Sequence, residues 1–420
     1  MMSAIIVHGG RAIHRPLDSQ HLRHPGKMRA LTMHPALFAL ALAGLVSGAN
    51  LRMFDALLPS VAENFGVVPT IASVVVTAFT LAYGASQLVH GPLADRIGKL
   101  RVVSMASFIA GLASLGSIFV DSLPGLAAMR FATGLGAGGM IPLALAWIGD
   151  NTPYEGRQAT LGRFIGIILL GHILGPVLAG ALAHFVSWRA VFGIFAVLFF
   201  LTGAILWLQH RKSPVQVNTG KSPAGIWSVY ATVLRDRWVR TVLATVFIEG
   251  ALFYGAFAYT GAYLKEKFDL SYFTVGAIIA AFGLGGLLYS LAVRWLLRRL
   301  GEGGLVGLGS VMLLLVYLLL PWLPAWQFFV PALIVAGFGF YMFHNTLQTR
   351  STEMAPAARG TALSLHAFAM FIGQASGVAI FGAGIHATSY GWGFVVAGAG
   401  LFALGRWFSG RVRRQVFRNS

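Results

Sequence analysis

The sequence contains no cysteine, which excludes disulfides, thiolate metal sites and cysteine nucleophiles. Charge is almost as scarce. Only 10% of the 420 residues are Asp, Glu, Lys or Arg, against roughly 25% in soluble domains. Acids are the rarest, 13 against 31 Lys and Arg. A soluble chain of this length folds into two or three domains with polar surfaces, and so few charges cannot cover them. Disorder is excluded as well, because it requires low hydrophobicity and the mean hydropathy is +0.74. The net charge of +18 does not point to nucleic acid, since the bases fall in short clusters between long apolar runs. No His-Glu-x-x-His and no Gly-x-Ser-x-Gly occurs, so hydrolase chemistry has no candidate.

What is present is apolar sequence in blocks. Twelve runs, centred near residues 47, 80, 111, 137, 173, 199, 252, 285, 312, 338, 373 and 400, approach the roughly 20 residues a helix needs to cross the hydrocarbon core. They do not alternate as barrel strands do. The 52 glycines suit membrane helices, whose backbones approach closely over small residues. The reading is an all-α integral membrane protein with twelve transmembrane helices. Lys and Arg set its orientation. The two tails and every second connection hold 26 of them, the other connections only three, which predicts cytoplasmic termini. Most of the +18 is then a topology signal facing anionic lipid.

Self-comparison reveals an offset of about 202 residues. Gly84 falls on Gly286, Gly171 on Gly373, Gly175 on Gly377 and Gly180 on Gly382, while Gly98 falls on Gly301 at 203. Six spans repeat as six, so the halves run parallel. The expected organisation is a basic cytoplasmic tail (1–33), a first six-helix half (34–208), a cytoplasmic linker (209–240), a second half (241–409) and a basic tail (410–420). A short surface helix is expected at Ile226–Leu234. His21-x-x-His24 has the spacing of a metal site, but a disordered tail is the simpler reading, and Met28 or Met33 is an alternative start.

Three motifs lie on this frame. GPLADRIGKLR (residues 91–101) joins spans 2 and 3. In it Gly91 allows a close helix contact, Asp95 is available to a base across the interface between halves, and Gly98 ends the turn. Arg96, Lys99 and Arg101 complete it. Span 4 opens with Arg130-x-x-Thr133-Gly134. Span 5 carries Gly162, Gly171, Gly175, Pro176 and Gly180, a pattern expected to kink and pack closely. Together these resemble the major facilitator superfamily, and within it the twelve-span drug:proton antiporter branch. Ser187-Trp188-Arg189 is similar to the usual outer turn of that family. Departures are Thr133, often Gln there, Ala179 in place of a glycine, and RWLLRRLG (294–301), where Arg298 stands at the position of Asp95. Gly134-x-Gly136-x-x-Gly139 fits a dinucleotide fingerprint, but no strand precedes it, and it reads as helix packing.

Four charges lie inside spans: Arg52, Asp55, Arg130 and Glu249. Intramembrane charges face an interior pathway by default, and the resemblance implies that spans 1, 4, 7 and 10 surround the cavity. Arg52 shares a helix face with Asp55, and Arg130 lies at similar depth, so both compete for one carboxylate. A carboxylate whose water access changes can gain and lose a proton, so Asp55 is the first coupling candidate and Glu249 the second. Phe253, Tyr254, Tyr259, Phe340, Tyr341, His344 and Asn345 are candidates to line an apolar substrate site. His344 reads as a hydrogen-bonding group, not a metal ligand, and His172, His366 and Gln374 as helix–helix contacts. No metal and no organic cofactor is expected; a proton gradient would supply the energy.

The resulting expectation is a monomeric, multi-pass transporter of the cytoplasmic or inner membrane, with a small-molecule substrate, protons and the lipid bilayer as its partners. Export of amphipathic or drug-like compounds in exchange for protons leads. Transport of small organic anions, clamped by Arg52 and Arg130, is the alternative. A non-transporting sensor or lipid-handling protein is the reading from another class.

Overall fold

The computed structural model describes residues 35–212, 223–355 and 359–419. The tail 1–33, with His21, His24, Met28 and Met33, lies outside them, as do linker residues 213–222. Every described element is helical. Eleven apolar segments among the described residues are long enough to cross a membrane. One of them, Tyr272–Trp322, has 51 residues, about 76 Å of helix at 1.5 Å per residue, against a hydrocarbon core of about 30 Å. It is interrupted at Gly301, whose φ of 62° and ψ of 174° are not helical; a left-handed φ favours a residue without Cβ. The difference from the twelve runs of the sequence lies at this one glycine.

The helices follow in chain order. The first crossing is made of α1 (Pro35–Arg52) and α2 (Phe54–Phe65), joined at Met53. Within α2, Pro59 lacks the N–H that would bond the Asp55 carbonyl four residues back. Then come α3 (Pro69–Ala72), α4 (Val74–Ile97) and α5 (Lys99–Ser117), followed by α6 (Leu123–Ala137) and α7 (Met140–Asn151), divided at Gly138 and Gly139. The long α8 (Tyr154–Phe185) and α9 (Trp188–Lys212) complete the first half. A separate helix, α10 (Pro223–Arg235), covers the stretch where a surface helix was expected. The second half comprises α11 (Arg237–Phe257), α12 (Thr260–Phe268), α13 (Tyr272–Leu319), α14 (Phe329–Glu353), α15 (Arg359–Ala387) and α16 (Tyr390–Asn419).

Six turns gather at one end, called distal here. Arg189 binds three of them together, donating to the carbonyls of Ile118 at 3.1 Å and Val120 at 3.2 Å and to Asn64 Oδ1 at 3.4 Å. Lys267 joins two turns of the second half, donating to the carbonyls of Pro321 at 2.8 Å and Leu323 at 3.0 Å. At the opposite end Lys99 pairs with Asp150, and Arg350 with Glu302.

Glycines set the packing. A methyl at Gly171 or Gly175 of α8 would collide with the backbone of Leu45 or Ala49 in α1. In the second half, Gly373 and Gly377 of α15 meet Phe247 and Ala251 in α11 in the same manner. The next members reach across the halves: Gly180 meets the carbonyl of Tyr272, and Gly382 meets the Tyr259 hydroxyl and the carbonyl of Thr70. Tyr272 lies 202 residues after Thr70, so the two contacts are repeats of one another. The false fingerprint is packing as well, with Gly134 against Phe79 and Gly136 against Ala106.

Candidate functional site

The break at Met53 places Asn50, Arg52 and Asp55 together. Arg52 Nη1 donates to Asp55 Oδ2 at 3.1 Å, with the two side chains 3% and 7% exposed. The three-residue spacing puts both on one helix face. The Arg52 guanidinium also lies 4.2 Å from the centroid of the Tyr254 ring of α11, so this cation joins the halves. Its Nη2 is buried without a partner.

Arg130 of α6 is 1% exposed and does not reach the interface with water. It does not pair with Asp55. Its Nη1 donates to Asn50 Oδ1 at 2.9 Å, and its guanidinium lies between Phe79, at 3.9 Å, and Phe54, at 4.8 Å. The reason is local: Arg52, on the same helix face as the carboxylate, takes it first. Two ring faces, each worth about 0.5–2 kcal/mol, and one amide carbonyl solvate the second cation instead. Arg130 Nε is buried without a partner, and among the described residues no acid reaches this side chain.

The second half answers with a different pair. Glu249 of α11 is fully buried, and His344 Nδ1 of α14 shares a hydrogen bond of 2.9 Å with its Oε2. Oε1 has no partner. The His344 ring stacks on Phe340 at 5.1 Å, and the His366 ring of α15 lies 5.4 Å away. Ser351 Oγ and His366 Nδ1 are 2.8 Å apart, so His366 does serve as a helix–helix contact. Asn50 and Ser351 were missed in the sequence. A polar residue inside an apolar run, two residues before an arginine, was the available signal for Asn50.

Other expectations need correction. Tyr259 does not line a cavity: its one hydroxyl proton is shared between Val378 O at 2.7 Å and Ser73 Oγ at 2.8 Å, and so fastens the halves together near the distal end. Phe253 and Phe340 are packed ring on ring at 4.2 Å, among Phe257, Phe282 and Tyr317. Tyr254 and Tyr341 remain near Arg52, Tyr341 also against Gly286, while Asn345 is hydrogen-bonded to Tyr289. A cleft of about 330 Å³, lined by Thr70, Ser73, Thr77, Gly382 and His386 among others, lies near the distal end and includes none of the predicted lining residues.

In the loop after α4, Gly98 has a φ of 93°, as a turn glycine should. Lys99 pairs with Asp150 of its own half. Asp95, Arg96 and Arg101 are exposed, and Asp95 forms no ion pair among the described residues, since it sits on the outer side of the last helical turn. Gly91 and Gly162 have nothing within 4 Å of an added methyl, so neither makes the close contact expected of it. Helix α8 is continuous through Pro176. The glycines beyond Gly162 act as packing surfaces on α1 and, at Gly180, on α13.

The model of the Major Facilitator Superfamily matches residues 40–378. The chain belongs to the Major Facilitator Superfamily. It is a multi-pass membrane protein of a transporter family, not of an enzyme family. Among curated relatives of this superfamily member, the inner membrane transport protein YnfM of Escherichia coli is 25% identical over 366 residues, covering 86% of this chain and 85% of its own. The cis,cis-muconate transport protein of Acinetobacter baylyi is 26% identical, covering 88% and 91%. The lincomycin resistance protein of Streptomyces lincolnensis is 26% identical, covering 66% and 68%. The crystal structure of the nucleoside transporter NupG superposes with a TM-score of 0.75 over 89% of this chain and 99% of that one, at 13% identity. That likeness is one of fold.

Proposed function

We propose that this superfamily member is a proton-coupled secondary transporter that exports small amphipathic or drug-like compounds by alternating access. In this reading it has twelve crossings, with α13 counted as two arms divided at Gly301, and both termini face the cytoplasm. The observation that carries the reading is the Glu249–His344 pair. It couples a fully buried carboxylate to an imidazole, a group that can both accept and donate a proton, inside a membrane-length apolar segment. Asp55, facing it across Tyr254 and Arg52, is the second acid. A proton arriving at either one changes the charge in a poorly hydrated region, and so changes which state of the halves is favoured. The antiporter-like glycine series of α8 supports exchange. The hydrogen bonds between halves, Tyr259 to Ser73, Tyr272 to Glu63 and Thr70 to His386, all lie toward the distal end. This fits a state closed on that side.

A second reading rests on a specific observation. Among the described residues Arg130 has no acid partner, and both Arg52 Nη2 and Arg130 Nε are buried and unbonded. An organic anion would satisfy them, and one relative is a cis,cis-muconate transport protein.

Proteoliposomes of the full chain distinguish the two. With only a proton gradient supplied, the first reading expects lincomycin or ethidium to accumulate, and expects Asp55→Asn and Glu249→Gln to abolish the accumulation. Accumulation of cis,cis-muconate that needs Arg130 but no proton gradient favours the second. Accumulation of drug-like cations unchanged in both acid variants overturns proton coupling at these residues.

A further inference from the structure

The reading above makes Glu249 a proton carrier, and the inference here rests on that reading. It concerns how the proton reaches an acid that water does not touch. The Glu249 side chain is 1% exposed, while that of His344, bonded to it at 2.9 Å, is 11% exposed. The carboxylate therefore has no contact with solvent of its own, whereas its partner does. The imidazole is bound to Glu249 through Nδ1, which leaves Nε2 on the other edge of the ring. Phe340 stacks on one face, inclined by 8°, and His366 packs beside the ring. The ring plane is thus fixed, with one nitrogen on the acid.

We propose that His344 is the port through which Glu249 takes up and releases its proton. Water delivers a proton to Nε2, and an N–H bond forms there. The Nδ1–H bond breaks as its proton passes to Oε2 of Glu249, where an O–H bond forms. Glu249 ends as a neutral acid and His344 as the neutral tautomer protonated on Nε2. The hydrogen bond now runs from Oε2 to Nδ1. Release is the reverse sequence, and no charge remains on the imidazole at either end. His366 is a positioning residue in this scheme. Its Nδ1 is engaged by Ser351, and its Nε2 is buried without a partner, so it braces the His344 ring without a carboxylate to hold a second charge.

Among the described residues, the titratable groups against this cluster are Tyr254 on α11 and His366 on α15, with Tyr341 on α14 and Tyr317 on α13 next to Tyr254. Beyond Tyr254 lie Arg52 and Asp55 of the first half, both within electrostatic range of its hydroxyl. None of these bonds Glu249 directly, so none offers a second way in.

The test is difference infrared spectroscopy of the purified full chain after a jump in pH. It reads the C=O stretch of a neutral carboxylic acid, and Glu249→Gln identifies the band. In His344→Gln the amide keeps a hydrogen bond to Glu249 but cannot relay a proton. Its band is expected at equilibrium, with a rise slowed at least about tenfold, since positioned proton transfer contributes about 10²–10⁴-fold. His344→Ala serves as the second variant, and free imidazole should restore its rate. A wild-type rate in His344→Gln, or an Ala variant indifferent to imidazole, overturns the proposal. Absence of any Glu249 band in the wild type overturns both this proposal and the function it rests on. A normal band and relay without proton-driven transport overturns the functional reading alone.

Discussion

The two halves are built on one scaffold and filled with different polar chemistry. Glycines 202 residues apart do the same work in each: Gly171 and Gly175 seat α8 on α1, and Gly373 and Gly377 seat α15 on α11. Positive-φ glycines recur at the same turn, Gly98 at 93° and Gly301 at 62°. The ion pairs just after those turns are inverted in sign. Lys99 binds Asp150 in the first half, and Glu302 binds Arg350 in the second. An ion pair keeps its attraction when its signs are exchanged, so duplication leaves it free to drift. The central acids differ in a way that does matter. Asp55 is held by an arginine, which stays charged at any physiological pH. Glu249 is held by an imidazole, whose second ring nitrogen remains on the far edge of the ring. The comparison teaches that packing constrains both halves alike, while among the described residues only the second half bonds its central acid to an imidazole.

The sharpest way to break this comparison is to remove each acid outright. Asp55→Ala leaves Arg52 buried with no acid, a loss of about 3–5 kcal/mol. Glu249→Ala leaves a histidine that can remain neutral, so the loss is nearer the about 1–3 kcal/mol of an unsatisfied hydrogen bond. Thermal unfolding in detergent should rank the first variant clearly below the second, and the reverse order would refute the assignment of roles. Next in size are the packing glycines. Gly175→Leu and Gly377→Leu should each destabilise by about 1–3 kcal/mol or more through overpacking, and by similar amounts. Gly162→Leu, which meets open space, should stay within about 0.5 kcal/mol. Unequal losses at Gly175 and Gly377 would mean that the scaffold is not equivalent in the two halves.

The inverted pairs predict a smaller effect. Lys99→Glu alone should destabilise by less than about 1 kcal/mol, because Asp150 is largely exposed. Combined with Asp150→Lys it should regain most of that, making the first half resemble the second. Lack of recovery in the double variant would show that the sign matters. Smallest of all is Asp95→Asn, whose stability should match the parent within about 0.5 kcal/mol. Loss of transport in that stable variant, measured by the same liposome assay, would locate its partner in a different arrangement of the halves.

The apolar blocks, the repeat offset and the turn glycines were legible because each is a local or periodic property. The Arg52–Asp55 pair was legible for the same reason: three residues along a helix fix both depth and direction. The partner of Arg130 was not. Counting residues from the end of a span gives depth, but not rotation about the helix axis, and it is rotation that turns Arg130 toward Asn50, Phe54 and Phe79. Spacing likewise marked Gly162 and Gly175 as one series, although one faces open space and the other a carbonyl. Tyr259 looked like a lining residue because its depth was right. Its role as a fastener depends on Ser73 and Val378, which lie far away in sequence on two other helices.

Part of the seam between the halves is glycine set against bare backbone. Gly180 lies against the Tyr272 carbonyl, Gly276 against that of Pro176, and Gly261 against that of Asp55, the carbonyl left without its helical bond by Pro59. Surfaces of this kind carry no interlocking side chains, so they can part without any side chain changing rotamer first. They also expose little hydrocarbon when they do. A joint with so small a penalty for opening behaves as a bearing, not a latch. The few hydroxyl bolts across it, Tyr259 above all, then decide how long it stays shut.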